Sequence, residues 1–553
     1  MINLISYAHR LLVFSLKIKS RPVYLVLLLC SFTIQSQELS SLDPLNKDMI
    51  SQLVLSQKVP SLIIASAFED DLIEHIQTKN IYDHRKAFAP LYLNALFYFQ
   101  NKIQVKTIYL TLVPIPESYR RYLYRLFQLM EAPTESIEDK ILWEQERQHF
   151  EKEHFVIVEF STHNQSKNAI SLMMGKSRTD SLSFFKKGSN KQSFEALKDI
   201  IIQGKKHFVP LGLMTHQNGP LMKSLSEELA IPLLGSSVNS LSFGKKDKGR
   251  SLFKELQLPH IVGTYDNRFS LETISEDILL LFTQHPHLPR KIMLKVANES
   301  GGKGNIILDF TQTKNNKDDL YKILKSLLPL AFQQAITKKG AICEFFYGEY
   351  AQSSPALMGY IERSGKVHYY YSHQQILEGP LGLTYKGGIG PYHRLQSTMP
   401  EKDLLKIFSD IGNSLATKDV RGHFSTDLLL CPLLQSDQNP LGFFLVENNI
   451  RTGGTDYPYA ITRHLGLAHN DQLFKIVQNV SVSFVGDPHH FLQKFLEKII
   501  QSPIHYNVKT QEGIIITNIQ FERDKFSYLV IAKDQISLEQ IDQSLQLFLA
   551  SLD

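Results

Sequence analysis

Cysteine is scarce in this chain, with Cys30, Cys343 and Cys431 its only three among 553 residues. They lie far apart, which excludes a disulfide framework or a cysteine zinc cluster, so the interior must hold together by packing. No apolar run reaches the roughly 18–20 residues of a membrane-spanning helix, which excludes a polytopic membrane protein. Internal repeats and low-complexity segments are lacking. Neither G-x-G-x-x-G nor G-x-x-x-x-G-K-[ST] occurs, so there is no dinucleotide fingerprint and no Walker A loop. An excess of charge is also missing from the body of the chain. The net charge is +5, but four of those charges are Arg10, Lys17, Lys19 and Arg21 in a stretch, 1–37, without Asp or Glu. The remaining +1 does not make the basic face that nucleic-acid binding requires.

What is present is ordinary globular material, 43% hydrophobic and 21% charged, which excludes wholesale disorder. The length exceeds the roughly 250–300 residues one core sustains, so several domains are expected. Residues 1–49 form a basic and hydrophobic extension. Its apolar run from Val23 to Ile34 has the length of a signal-peptide core, yet Leu29 precedes Cys30 and no A-x-A-like site precedes Glu38. A cytoplasmic location is expected, with anchoring or export through 1–37 as the other option.

Beyond the extension, short β-rich runs alternate with helical patterns. Ser61–Ala65, Val105–Leu110, Phe155–Val158 and Phe208–Leu211 read as strands. Tyr119, Tyr122, Leu123, Leu126, Phe127 and Met130 form an apolar stripe at helical spacing. Alternation of this kind implies βαβ units and a mostly parallel sheet, a Rossmann-like α/β domain over 50–235. From 236 to 470 the β-runs lengthen and glycines multiply. The segment 471–553 carries a strand pair around Gly513–Ile516 and Tyr528–Ile531, then a helix opened by Ser537 and Gln540 at capping-box spacing.

Four pieces of the middle segment carry chemistry. Met293-Leu294-Lys295-Val296 is a β-run with one lysine, followed by Glu299-Ser300-Gly301-Gly302-Lys303-Gly304-Asn305 and a second β-run. Glycines between two strands let backbone N–H groups approach an anion, with Lys295 adding charge; a tight hairpin accounts for the same residues equally well. Ala341–Phe345 is an apolar strand that runs into Phe346, Tyr347, Gly348 and Glu349. Asp427 is followed by Phe443-Phe444-Leu445-Val446-Glu447-Asn448-Asn449-Ile450-Arg451-Thr452-Gly453-Gly454. Residues i and i+2 of a strand face one side, so Glu447 and Asn449 converge, and with Asp427 they offer oxygen ligands suited to Mg²⁺. Arg451 continues on that face. Last, Lys245, Lys246, Lys248 and Arg250 crowd the start of a helix, where cations oppose the dipole unless an anion lies nearby; a solvated charge run is the plain reading. Tyr385–Gly390 reads as a flexible turn, with a substrate loop as the other option.

In combination, the basic helix start, the strand lysine with its Gly-rich hairpin, the acid-bearing strand and Asp…Glu-x-Asn-x-Arg-x-Gly-Gly resemble the ATP-grasp superfamily over 236–470. Glu447–Thr455 most resembles the pheganomycin-type peptide ligases, which carry a pre-ATP-grasp domain in front and a small C-terminal domain behind. The resemblance implies a Rossmann-like domain, an ATP-grasp domain of α+β type and a C-terminal α+β domain at 471–553. It implies an ADP-forming carboxylate–amine ligase that uses ATP and Mg²⁺, or Mn²⁺ in its place, on an amino acid or peptide and an amine acceptor.

Carried over position by position, Lys246 and Lys295 would contact phosphates and Ser300, Gly301, Gly302 and Gly304 would belong to the phosphate loop. Glu344, Phe345 and Phe346 would hold adenine, and Glu349 the ribose. Asp427, Glu447 and Asn449 would hold the metals, while Arg451 with Gly453 and Gly454 would hold an acyl-phosphate. At Thr455-Asp456-Tyr457-Pro458 the chain departs from the Thr-Thr-His-Pro of those ligases, which leaves the acceptor open. A regulatory or scaffold protein that binds nucleotide without turnover, and a small-molecule kinase, are the other readings.

Overall fold

The computed structural model describes residues 61–65, 106–111, 117–131, 155–159, 190–206, 211–215 and 218–552, apart from 298–303, 314–315, 380–381, 396–399, 437–438, 440–441, 466, 468–471, 483–487 and 521–524. The extension 1–49 lies outside these residues, as do Ser300, Gly301 and Gly302.

In the front region β1 (Ser61–Ala65), β2 (Lys106–Thr111), α1 (Glu117–Glu131), β3 (Phe155–Glu159), α2 (Asn190–Lys206), β4 (Leu211–Thr215) and α3 (Pro220–Leu229) follow one another. The strands form one parallel sheet in the order β3-β2-β1-β4. That order belongs to a doubly wound α/β sheet, as the strand–helix alternation predicted. β4 begins immediately after Pro210, which has no N–H to give a ladder. Tyr119, Tyr122, Leu123 and Leu126 are all buried along one face of α1, so this part of the stripe is a core face; the Phe127 and Met130 side chains lie outside the described residues. The sheet hands over to the rest of the chain through Asn218, whose Nδ2 donates to the Leu234 and Ser236 carbonyls at 2.8 and 2.7 Å.

Next come α4 (Lys246–Glu255), α5 (Leu271–Gln284), β5 (Lys291–Val296), β6 (Asn305–Asp309), α6 (Lys317–Leu327), α7 (Leu330–Lys339) and β7 (Ala341–Phe345). The three strands form an antiparallel sheet in the order β6-β5-β7. Side chains alternate across it. Ile292, Leu294, Val296, Ala341, Cys343 and Phe345 share a core with Ile274, Ile278 and Phe282 of α5 and Leu320 and Leu324 of α6. Met293, Lys295 and Glu344, at the intervening positions, are left for the opposite face.

The last region contains β8 (Pro355–Ile361), β9 (Val367–Glu378), β10 (Thr384–Gly390), α8 (Tyr392–Leu395), α9 (Glu401–Thr417), β11 (Gly422–Leu430), β12 (Phe443–Asn449), α10 (Asp456–His464), β13 (Leu473–Ser481), α11 (Pro488–Ile499), β14 (Gly513–Gln520), β15 (Lys525–Ala532) and α12 (Gln535–Ala550). Its eight strands make one antiparallel sheet, β12-β11-β8-β9-β10-β13-β15-β14. β13 pairs with β10, so the C-terminal strands extend the sheet of the middle segment. α9 lays Leu404, Ile407, Phe408, Ile411 and Leu415 into a core with Leu357, Ile361, Phe424, Leu428 and Leu445. α1 reaches this region too, because the Ile516 N–H donates to the Tyr122 hydroxyl at 2.8 Å.

Two local expectations are corrected. Tyr385–Gly390 is not a turn but strand β10, inside the large sheet. Its glycines answer to crowding, since a Cβ at Gly388 would sit 2.1 Å from the His373 ring and one at Gly387 1.9 Å from the Ile476 carbonyl oxygen. The C-terminal helix opens not at Ser537 but at Gln535, capped by Asp534, whose carboxylate accepts the Ser537 N–H at 2.7 Å. A carboxylate satisfies the orphan N–H and also complements the helix dipole.

Candidate functional site

A cavity of about 560 Å³ is bounded by the face of the β5–β7 sheet that carries Met293, Lys295 and Glu344 and by β8 to β12 of the large sheet. Lys295 and Glu344 line it on one side, and Asp427, Glu447, Asn449 and Arg451 on the other, with Gly453 and Gly454 beyond them. Residues separated by more than 150 positions in sequence therefore meet in one place.

On the β5–β7 wall, Lys295 and Glu344 are 3% and 1% exposed. Their Nζ and Oε1 form an ion pair. The other carboxylate oxygen accepts from Arg250 NH1 at 2.8 Å, so one buried acid serves two cations. Glu344 is thus committed inside the wall, and the strand end meets the cavity through Phe346, which is half-buried. The Phe345 ring points into the core behind the sheet. Phe346 N–H donates to the Lys291 carbonyl at 2.9 Å, and its ring lies where a Cβ on Gly348 would be.

Lys246 and Glu349 are not brought into the cavity wall. The Lys246 ammonium donates to the Val296 carbonyl at 2.9 Å and to Asn305 Oδ1 at 3.3 Å, bracing the base of the β5–β6 hairpin from α4. Gly304 closes that hairpin through its carbonyl, which accepts from the Val296 N–H at 2.8 Å. Glu349 stands exposed beside the mouth, ion-paired with Lys291.

The opposite wall depends on a β-bulge. Leu428 pairs with Leu445, while Asp427 pairs with Glu447, which leaves Val446 as an extra residue. Phe443 and Leu445 point into the α9 core, and Phe444 and Val446 to the other side. Strict alternation would send Glu447 and Asn449 into the α9 core with Leu445. The extra residue reverses the phase, so both face the cavity while Ile450 rejoins the core.

Asp427 and Glu447 stand directly opposite each other across β11 and β12. Like charges in that relation repel. The Asp427 carboxyl is pushed up to about 7, first by burial and then by Glu447, against the pull of the Gln375 hydrogen bond and the charges of Arg451 and Lys295. Asn449 Nδ2 donates to Asp427 Oδ2 at 3.4 Å, and Arg451 NH2 donates to Asn449 Oδ1 at 3.3 Å. Two opposed carboxylates and an amide oxygen form a hard-oxygen donor set that fits Mg²⁺. Among the described residues no three His, Cys, Asp or Glu side chains gather as a metal-holding group, so the amide is needed to complete the set.

Past Arg451 the chain turns through Gly453 and Gly454 into α10. The Gly453 N–H donates to Asp456 Oδ2 at 2.6 Å, and Gln478 Nε2 donates to the Gly454 carbonyl at 3.0 Å. Burial pushes the Asp456 carboxyl up to about 7. His423 Nδ1 lies 3.6 Å from that carboxylate, but burial lowers the imidazole to about 3. The neutral ring makes the contact polar rather than ionic.

Four residues that shape the site were missed from sequence. Arg250 read as part of a solvated basic run, although it follows Lys246 by one helical turn. Gln375 sits in a β-run with nothing to distinguish it. Asp456 drew notice only as a departure from the ligase pattern. Gln478 gave no signal at all.

No protein-family model matches the chain, and no curated protein matches it either. Similar solved structures include a biotin carboxylase–β,γ-ATP complex from Campylobacter jejuni, at 11% identity and a TM-score of 0.44 over 86% of this chain and 88% of that one. The biotin carboxylase domain of Hydrogenobacter thermophilus 2-oxoglutarate carboxylase, with MgADP, ADP and bicarbonate, shows 11% identity and a TM-score of 0.45 over 89% and 90%. N5-carboxyaminoimidazole ribonucleotide synthetase from Thermus thermophilus gives 11% and 0.45 over 87% and 96%.

Proposed function

We propose that this chain is an ATP-grasp ligase. It transfers the γ-phosphoryl of ATP to a substrate carboxylate and releases ADP; an amine then attacks the acyl-phosphate, forming the amide and releasing inorganic phosphate. The observation that supports this most is the meeting of Lys295, on one wall of a single cavity, with Asp427, Glu447, Asn449 and Arg451 on the other. Such a reaction asks the protein for positioning and charge neutralisation rather than for a nucleophile of its own. Lys295 would contact the phosphates, Ser300, Gly301, Gly302 and Gly304 would belong to the phosphate loop, and Lys246 would brace the end of β5. The strand end at Glu344, Phe345 and Phe346 would border the adenine through its backbone and the Phe346 ring, and Glu349 the ribose at the mouth. Asp427, Glu447 and Asn449 would hold the divalent cation, which neutralises phosphate charge when bound. Arg451, with the Gly453–Gly454 turn beside it, would hold the carboxylate and its phosphorylated form.

The likeness of Glu447–Thr455 to peptide ligases favours an amino acid or peptide as the carboxylate and an amide as the product. The need for ATP favours the cytoplasm. In this reading 50–235 is the pre-ATP-grasp domain, 236–470 the ATP-grasp domain and 471–553 the C-terminal domain.

The test is ADP release from Mg·ATP with an amino-acid and peptide mixture, and the mass of the product. Turnover should fall by about 10²–10³-fold or more in Glu447→Ala. Full turnover in that variant removes the mechanism. A phosphorylated hydroxyl in place of an amide would make the protein a kinase.

A further inference from the structure

One charged residue supports the cavity without lining it. Arg250, in the second turn of α4, is 1% exposed and lies behind Glu344. Its guanidinium donates in three directions: NH1 to Glu344 Oε2 at 2.8 Å, Nε to the Thr264 carbonyl at 2.9 Å and NH2 to the Ile261 carbonyl at 2.6 Å. Its Cζ lies 5.5 Å from the centre of the Tyr265 ring. The loop it holds runs against β7, with Gly263 so close that a Cβ there would lie 2.3 Å from the Cys343 carbonyl oxygen.

The remaining oxygen of Glu344 is paired with Lys295. None of the three side chains is more than 4% exposed, and together they carry one negative and two positive charges. A buried carboxylate facing Lys295 alone would cancel its charge and hold the ammonium against β7. Arg250 occupies half of that carboxylate. The unbalanced positive charge is then presented at Lys295, the one cation of the three that reaches the cavity.

We propose that Arg250 is a positioning residue which acts on bound nucleotide through Glu344, sharing its carboxylate so that Lys295 keeps a net positive charge for a phosphate group. This rests on the nucleotide reading of the cavity. The planar fork of arginine spans the carboxylate and two carbonyls at once, which a lysine does not reproduce. The role is electrostatic as well as geometric, and that separates it from scaffolding. Arg250→Met leaves the triad neutral, whereas Arg250→Met with Glu344→Met returns it to +1 through Lys295 alone. The double variant removes Arg250 and Glu344 as a pair and leaves the Lys295 ammonium to the cavity, where bound Mg·ATP supplies its counter-charge.

The experiment is calorimetric titration of the full chain with Mg·ATP, alongside thermal melts and KM for ATP and for the carboxylate. Arg250→Met should weaken Mg·ATP binding by about ten- to hundredfold, as expected for losing one partly screened charge. KM for ATP should rise more than kcat falls, and KM for the carboxylate should stay unchanged. The double variant should bind within about threefold of the wild type. Scaffolding alone would lower the melting temperature, leave the Kd of folded protein unchanged in Arg250→Met and make the double variant no better, and any of these affinity results overturns the proposal. If Arg250→Met does not fold, the double variant carries the test, and a tenfold loss there is the overturning result. Failure of the wild type to bind Mg·ATP would instead remove the nucleotide reading itself.

Discussion

On the β5–β7 wall of the cavity the buried carboxylate of Glu344 has cations on both of its oxygens, whereas on the β11–β12 wall two carboxylates face each other. Both walls border the same space, the charged groups of the first fully buried and the acids of the second half-buried. The first supplies its own counter-charges and is organised before any ligand arrives. The second is under electrostatic stress, visible in the raised Asp427, and a cation from outside would relieve it. A site that must receive an anion and a cation together is well served by such a pair of walls.

The largest effect should come from breaking the self-compensated wall. Glu344→Ala strands Arg250 and Lys295 in the interior, and removing one partner of a buried ion group costs about 3–5 kcal/mol. Urea denaturation reads this directly, and a loss below about 1 kcal/mol would mean that the wall does not depend on its own pairing.

The acidic wall should respond to a cation instead. Mg²⁺ at a hundred times its Kd adds about 2.7 kcal/mol to stability, visible as a higher melting temperature at pH 8. At pH 5 the proton on Asp427 competes with the cation, so the rise should shrink. An equal rise at both pH values, or one that survives in Asp427→Asn with Glu447→Gln, would break the assignment of the cation to this wall.

The smallest effect has the opposite sign to the first. Asp427 rises from 3.8 to about 7 in the fold, so between those values the folded chain holds a proton that the unfolded chain has lost. Stability therefore falls as pH rises through that window and is level above it. Asp427→Asn removes this penalty and, without divalent cation, should stabilise the protein by about 1 kcal/mol at pH 8 and negligibly near pH 4. Melting curves in EDTA at the two values decide it, and destabilisation at pH 8 would show that the carboxylates are not in conflict. Asp456 is raised to a similar value and contributes to the same slope in both proteins, so the difference between them isolates Asp427.

Much of the architecture was legible because it depends on short-range pattern. The apolar runs of β1 and β3, the stripe on α1 and the strand pair at 513–532 each reflect a local periodicity of 2 or 3.6. Lys295 and Asp427–Arg451 were legible for a related reason, since charged and amide side chains inside apolar runs mark a wall rather than a core. Arg250 was not, because a buried guanidinium and a solvated one look alike until Glu344 arrives from 94 positions away. Tyr385–Gly390 was misread for the same cause, as its glycines answer to His373 and Ile476 on neighbouring strands rather than to a turn.

The sequence alone determined that Glu447 and Asn449 share one side of a strand, because side chains alternate wherever a strand forms. Which side they share was decided only by the tertiary structure. Val446 bulges out of register with β11, and that single extra residue turns Glu447 and Asn449 away from the α9 core and into the cavity. A bulge is a property of two strands in register, and its partner strand lies elsewhere in the chain.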